Sequence, residues 1–123
     1  MAAPNIVNVT SILGETQGKA LTASLVDIVT NSAASGKVYK VNAIYVSNVD
    51  GTNNADADVA FYDASEGGGT AFYIAKTIVV PADATLDVLS KSIYLEEGDK
   101  IQAKASATSD LEIVVSYEII DDA

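Results

Sequence analysis

The sequence predicts an all-β fold: one antiparallel β-sandwich of about eight or nine strands, connected as a jelly roll or an immunoglobulin-like sandwich. Two observations predict it. The length of 123 residues suits a single domain. The apolar residues fall in short β-rich runs separated by Gly, Asn, Asp, Ser and Pro, and no long stretch repeats at helical spacing.

These runs can be followed in order along the chain. We expect strands over residues 5–13, 18–30, 37–48, 55–62, 71–80, 85–90, 93–95, 100–107 and 111–120. Alternation is clearest where Ala57, Val59 and Phe61 share one face. In the third run one face has Tyr39, Val41, Ala43 and Tyr45, and the other has Val38, Ile44 and Val46. Apolar residues of both parities predict a central strand that is covered on both sides.

Two segments are also compatible with a helix. Leu21, Leu25 and Ile28 fit helical spacing, and Pro81 could open a helical turn. We favour strand and turn at both places. The domain organisation that follows is an N-terminal arm over residues 1–5, a β-sandwich over 6–120 and a C-terminal tail over 121–123.

The residue inventory weighs against catalysis. The chain has no His, Cys, Trp or Arg. Without His and Cys the common nucleophile–base pairs cannot be built, and tetrahedral zinc has no ligands. A carboxylate pair of the glycosidase type is the chemistry that remains. We therefore expect a protein that is not an enzyme, with no catalytic residues and no cofactor.

The charge indicates which partners to exclude. The formal net charge is −10 and the isoelectric point about 4.1, with the lysines scattered singly. Such a surface repels nucleic-acid phosphate and anionic lipids, so we expect neither as a partner. The first residues lack the basic and apolar regions of a secretory signal, and no run is long enough for a membrane helix.

The acidic segment from Asp50 to Asp58 is the best metal candidate. Calcium takes six to eight oxygen ligands, and Asp50, Asn53, Asp56 and Asp58 supply such oxygens. The spacing does not fit an EF-hand, and no Glu closes the loop. We therefore predict a solvated turn followed by a polar strand face, with no metal, and keep Ca²⁺ on these four residues as the alternative.

Two other polar segments have ordinary explanations. The run Glu66–Thr70 contains three glycines but lacks the Lys of a phosphate-binding loop, so we predict a hairpin loop. Glu96 and Glu97 lie beside Asp99 in a predicted turn. A glycosidase needs two carboxylates that face each other across a sugar, and nothing in this segment predicts that arrangement.

Six tyrosines against two phenylalanines suggest a recognition surface. Tyr62 and Tyr73 flank the glycine run and are our interface candidates, together with Pro4 and Asn5 of the arm. Tyr39, Tyr45 and Tyr117 share parity with Val, Ala and Ile, which predicts a place in the core or at its rim.

Four stretches carry a family resemblance: Ile44–Thr52, Lys76–Leu89, Ser92–Ile101 and Leu111–Ile120. Together they resemble small virion structural proteins of marine tailed phages, especially phages of cyanobacteria, over most of the chain from Ile6 onward. The resemblance implies a β-sandwich subunit present in many copies per particle. It implies no catalytic residues.

The resemblance also suggests what the subunit does. We expect a capsid decoration (cement) protein that binds between capsomers and stabilises the head. Its partners would be the major capsid protein or other virion subunits and further copies of itself, for example in a trimer. It would be made in the host cytoplasm and located on the virion. The alternative is a tail or fibre-associated module that contacts a host surface glycan through exposed Tyr, Asn and Asp side chains.

Overall fold

The computed structural model describes residues 8–64 and 68–121. Nine strands form two antiparallel sheets, which confirms the all-β sandwich. The strands are β1 (Ser11–Ala20), β2 (Val26–Thr30), β3 (Lys37–Asn48), β4 (Ala55–Asp63), β5 (Thr70–Val80), β6 (Thr85–Asp87), β7 (Ile93–Leu95), β8 (Lys100–Ala105) and β9 (Leu111–Asp121). No helix in these ranges is long and apolar enough to cross a membrane.

The strand order identifies the connection as a jelly roll. One sheet runs β1-β9-β3-β6, with β7 also paired to β3, and the other runs β2-β8-β4-β5. The two halves of the chain therefore pair in a nested way: β4 with β5, β3 with β6 and β7, β2 with β8, and β1 with β9. This nesting distinguishes a jelly roll from the immunoglobulin-like arrangement.

The core lies between the two sheets. Strand β8 alternates as the sequence predicts, and so does β9 from Leu111 to Tyr117, with every second side chain buried. At the end of β9 Ile120 is buried and Ile119 only partly buried. Each large apolar side chain that is fully buried contributes about 1.5–3 kcal/mol relative to an exposed position. The largest of them are Leu21, Ile44, Leu95, Ile101, Leu111 and Ile113.

Strand β3 carries a bulge that the sequence pattern does not reveal. Its register with β9 shifts by one residue between Val41 and Ala43. The shift brings Val41, Ile44 and Val46 into the same core although their parities differ. Tyr45 is therefore 42% exposed, and its predicted place at the core was wrong. The bulge accounts for the change of parity at Ile44 and Val46. Before the bulge, Val38 has the opposite parity to Val41 and is also buried, although it lies outside the core cluster.

The first two strands differ from the prediction in their bounds. Strand β1 continues through Gly14, where the predicted run stopped, because its ladder with β9 is unbroken from Ser11 to Ala20. Leu21 then buries its side chain completely, and the chain reaches β2 without a helix. Pro81 likewise opens a turn and not a helix, since the Ala84 amide donates to its carbonyl.

Two buried asparagines hold the loops at opposite ends of β3. Asn31 donates through Nδ2 to the carbonyl oxygens of Lys37, at 2.8 Å, and Leu95, at 3.0 Å. Asn48 donates in the same way to those of Asn53 and Val80, each at 2.9 Å. A buried amide whose donors are all satisfied stabilises one loop arrangement over others.

Candidate functional site

The largest concentration of exposed aromatic residues lies where the edges of the two sheets meet. Strand β5 is an edge of the four-stranded sheet, and β7 pairs with the opposite sheet. Between them is a depression of about 280 Å³, which we call the aromatic depression. Its lining consists of Phe61, Phe72, Tyr73, Ile74, Ile93 and Tyr94.

The aromatic depression offers large apolar area on rigid strands. Phe72 is 53% exposed and lies directly opposite Phe61 in the β4–β5 ladder. Tyr73 follows it on the same strand, and Tyr94 is on β7. Exposed aromatic side chains that form one patch are typical of a protein–protein contact, since Tyr and Phe bring much area at low cost in side-chain entropy.

The two tyrosines predicted as interface residues have different environments. Tyr73 lines the aromatic depression, with the Lys76 ammonium 4.4 Å from its ring centroid. Tyr62 is half-buried, and Lys100 lies 5.1 Å from its ring. Its hydroxyl would stand 3.0 Å from a Cβ at Gly69, and the φ of +84° at Gly69 favours glycine there. Tyr62 therefore packs within the molecule, whereas Tyr73 is available to a partner.

Further exposed apolar residues extend along the same edge strand. Ile78 and Val79 are both exposed near the end of β5. Edge strands that avoid pairing usually carry charges or proline, and within β5 the charged residue is Lys76. Pro4 and Asn5, the other predicted interface residues, lie outside the described residues.

The acidic segment divides into two separate arrangements. Asp50 begins a turn: its carboxylate accepts the Thr52 amide at 2.8 Å and the Asn53 side-chain amide at 3.2 Å. Both hydrogen bonds lower the pKa of Asp50, and the bond from Thr52 has the larger effect. Asp56 and Asp58 instead line a shallow depression with lysines on β5 and β8. In the described part of the chain no three acidic side chains are grouped closely enough to hold a metal ion.

Asp58 has a structural task that the sequence did not reveal. It is buried, and its carboxylate accepts the Thr77 amide at 2.6 Å. Lys76 and Lys104 place their ammonium groups 3.3 and 3.8 Å from the same carboxylate. This hydrogen bond and these two ammonium groups offset the cost of burying the Asp58 charge.

The carboxylates of Glu97 and Asp99 accept backbone amides. Asp99 is fully buried and accepts the amides of Ala64 and Glu96, each at 3.0 Å. Glu97 accepts the Gly36 amide at 2.6 Å through one oxygen, while its other oxygen is buried without a hydrogen-bond partner. These residues join three loops at one end of the sandwich. Acidic residues in a turn can therefore accept backbone amides and stabilise the loops, without any catalytic role.

Comparisons with known proteins bear on the fold. No protein-family model matches the sequence, and no curated protein matches it. A similar solved structure is a chain from Bacillus endospore appendages, which form a novel family of disulfide-linked pili. The alignment covers 90% of this chain and 89% of that one, with a TM-score of 0.52 and 18% identity. Likeness at this identity concerns the fold alone.

Proposed function

We propose that the chain is a non-enzymatic structural subunit on the outside of a tailed-phage particle, and specifically a capsid decoration subunit that binds between capsomers. The aromatic depression is the observation that carries this proposal. It lies on the rigid edges of two sheets and exposes Phe72 and Tyr73. The sequence resemblance supplies the phage setting.

The physical properties of the chain suit such a subunit. Interfaces of this kind have a few aromatic anchors that carry most of the binding energy. The net charge of −10 favours solubility before assembly. Jelly rolls are also a common architecture for viral capsid domains. The partner that fits is a capsid surface with an apolar side chain or loop that can enter the aromatic depression.

Binding to heads tests this proposal. Expanded heads that lack the chain, from the phage whose genome encodes it, would be mixed with purified protein and sedimented. Phe72→Ser should weaken binding by at least about tenfold, because a buried aromatic anchor is lost. Val79→Ser is the matched control: Val79 lies on the same strand and is 52% exposed, against 53% for Phe72, but lies outside the aromatic depression.

Each outcome of that experiment is informative. Head binding by the wild type and Val79→Ser, with loss in Phe72→Ser, supports decoration through the aromatic depression. Equal binding of all three overturns the role of the depression. No binding of the wild type to heads overturns decoration. Circular dichroism of each variant checks that the fold is intact.

A tail or fibre-associated subunit is the second candidate. The observation that favours it is the fold shared with a pilus chain. That family of pili is disulfide-linked, whereas this chain has no cysteine, so contacts within a fibre would be non-covalent. In this case exposed tyrosines such as Tyr73 and Tyr94 would contact a host glycan. Binding of the purified chain to host cells, and none to heads, would favour this candidate.

A further inference from the structure

We infer that β1 is a dimerisation strand, through which two copies of the chain pair edge to edge about a two-fold axis and form one continuous sheet. The first observation is its exposure. All of its residues, Ser11 to Ala20, are exposed on both faces. Strand β1 pairs only with β9, so its other edge has no partner strand among the described residues. The inference holds wherever on a particle the subunit is placed.

Two glycines in β1 are not required by the fold of a single copy. Neither Gly14 nor Gly18 has a positive φ. A Cβ at Gly14 would meet nothing within 4 Å, and one at Gly18 would make ordinary contact at 3.7 Å. Glycine weakens a strand and often marks the close approach of another backbone. A second copy along the free edge supplies such an approach.

The backbone groups that could pair with a second copy follow from the ladder with β9. The Leu21 amide donates to the Leu111 carbonyl, in register with the whole β1–β9 ladder. In an antiparallel ladder hydrogen-bonded and non-hydrogen-bonded pairs alternate. The odd-numbered residues of β1 therefore bond to β9, and the even-numbered ones direct their amides and carbonyls to the free edge. These are Ile12, Gly14, Thr16, Gly18 and Ala20.

Charge complementarity selects one register. If Gln17 lies opposite Gln17 of the second copy, Glu15 of each copy lies opposite Lys19 of the other. Side chains of such non-hydrogen-bonded pairs are close, and opposite charges there are stabilising. In the same register Thr16 pairs with Gly18 of the second copy. Registers centred on Glu15 or on Lys19 would instead place like charges together.

The test is a measurement of mass and dissociation constant by sedimentation over a range of protein concentrations. Wild-type protein should dimerise. Thr16→Pro should abolish the dimer, because proline removes an amide from the free edge and none from the ladder with β9. Lys19→Glu should raise the dissociation constant at least about tenfold, since both attractive pairs become repulsive.

A charge swap examines the register and serves as the control for folding. The double variant Glu15→Lys with Lys19→Glu restores both opposite-charge pairs and should dimerise within about threefold of the wild type. A monomer at all concentrations, a trimer, or a dimer that survives Thr16→Pro would overturn the inference. A double variant as weak as Lys19→Glu would overturn the register.

Discussion

The Asp58 carboxylate accepts the amide of Thr77 at 2.6 Å, at the point where β5 carries one residue more than β4. Thr77 has a φ of 51°, in the left-handed region that β-branched residues rarely adopt. The buried carboxylate compensates for this strain by satisfying the amide and by its contact with Lys76. Asp58, one of the four residues kept as the calcium alternative, thus fixes a bulge in β5.

Removing the Asp58 carboxylate should destabilise the protein. We expect Asp58→Ala to lower the free energy of unfolding by about 2–3 kcal/mol, because a hydrogen bond to a charged group is lost and a part-buried amide is left without its acceptor. Asp56→Ala, on the same strand face, is the control and should cost less than about 0.5 kcal/mol. Urea unfolding measures both. Equal losses in the two variants would contradict the assignment.

Asn31 should be as important as an apolar core residue. Asn31→Ala leaves the carbonyl oxygens of Lys37 and Leu95 without their donor, so we expect a loss of about 2–4 kcal/mol in unfolding free energy. The exposed Asn42 on β3 is the matched control. If thermal or urea unfolding placed Asn31→Ala within about 0.5 kcal/mol of Asn42→Ala, the buried amide would have no structural role.

Asp27 should contribute to the acid sensitivity of the fold. Its hydrogen bond from Gln102, at 2.8 Å, and its ion pair with Lys100, at 3.1 Å, hold its pKa below the usual range despite the opposing effect of burial. The unfolded value is about 3.9. The charged form therefore stabilises the fold above that pH, and this stability is lost as pH falls through the folded-state pKa.

The corresponding variant is Asp27→Asn. It should be less stable than the wild type at neutral pH, and the difference in urea midpoint should close below about pH 3. Gln102→Ala should likewise reduce the loss of stability that the wild type shows between neutral and acid pH. A difference that stays constant from neutral to acid pH would show that the Asp27 charge does not stabilise the fold.

Two stacked tyrosines should make the fold sensitive to alkali. The rings of Tyr39 and Tyr117 lie 5.5 Å apart at 14°. Burial, followed by the negative charge of Glu15, raises the pKa of both hydroxyls. The neutral phenols stabilise the fold below the unfolded value of about 10, and this stability is lost as pH rises through the folded-state pKa values.

Tyr117→Phe is the variant that examines this effect. Its unfolding free energy should decline less steeply than that of the wild type above about pH 10. Glu15→Gln should lower the pKa of Tyr117, measured by phenolate absorbance. Identical alkaline profiles of Tyr117→Phe and the wild type would exclude Tyr117 as a source of the sensitivity.

Local alternation predicted the parts of the fold in which no bulge intervenes. Strand β8 alternates throughout and β9 alternates from Leu111 to Tyr117, and the buried residues there follow from the sequence. At the end of β9 the alternation breaks, since Ile120 is buried and Ile119 only partly buried. Tyr45 was misplaced because one extra residue in β3 reverses the parity beyond it. Strand β1 was misplaced because Gly14 is a turn signal locally, whereas the long-range ladder with β9 keeps it extended.

The candidate site was predictable only in part, because it too depends on pairing between distant segments. Tyr73 was identified from its place beside the glycine run, and the structure puts it in the aromatic depression. Phe72 and Tyr94 were not identified from the sequence, because their exposure depends on which strands become sheet edges. Edge position is set by pairing between distant segments, which the alternation of a single strand does not encode.

The place of the chain on a phage particle can be decided by immunogold labelling of intact particles with an antibody to this chain. Label spread over the head is the result we predict, since a decoration subunit occupies many equivalent sites between capsomers. Label confined to the tail would overturn decoration and favour the fibre-associated alternative. Particles without any label would contradict the proposal that the chain is a virion protein.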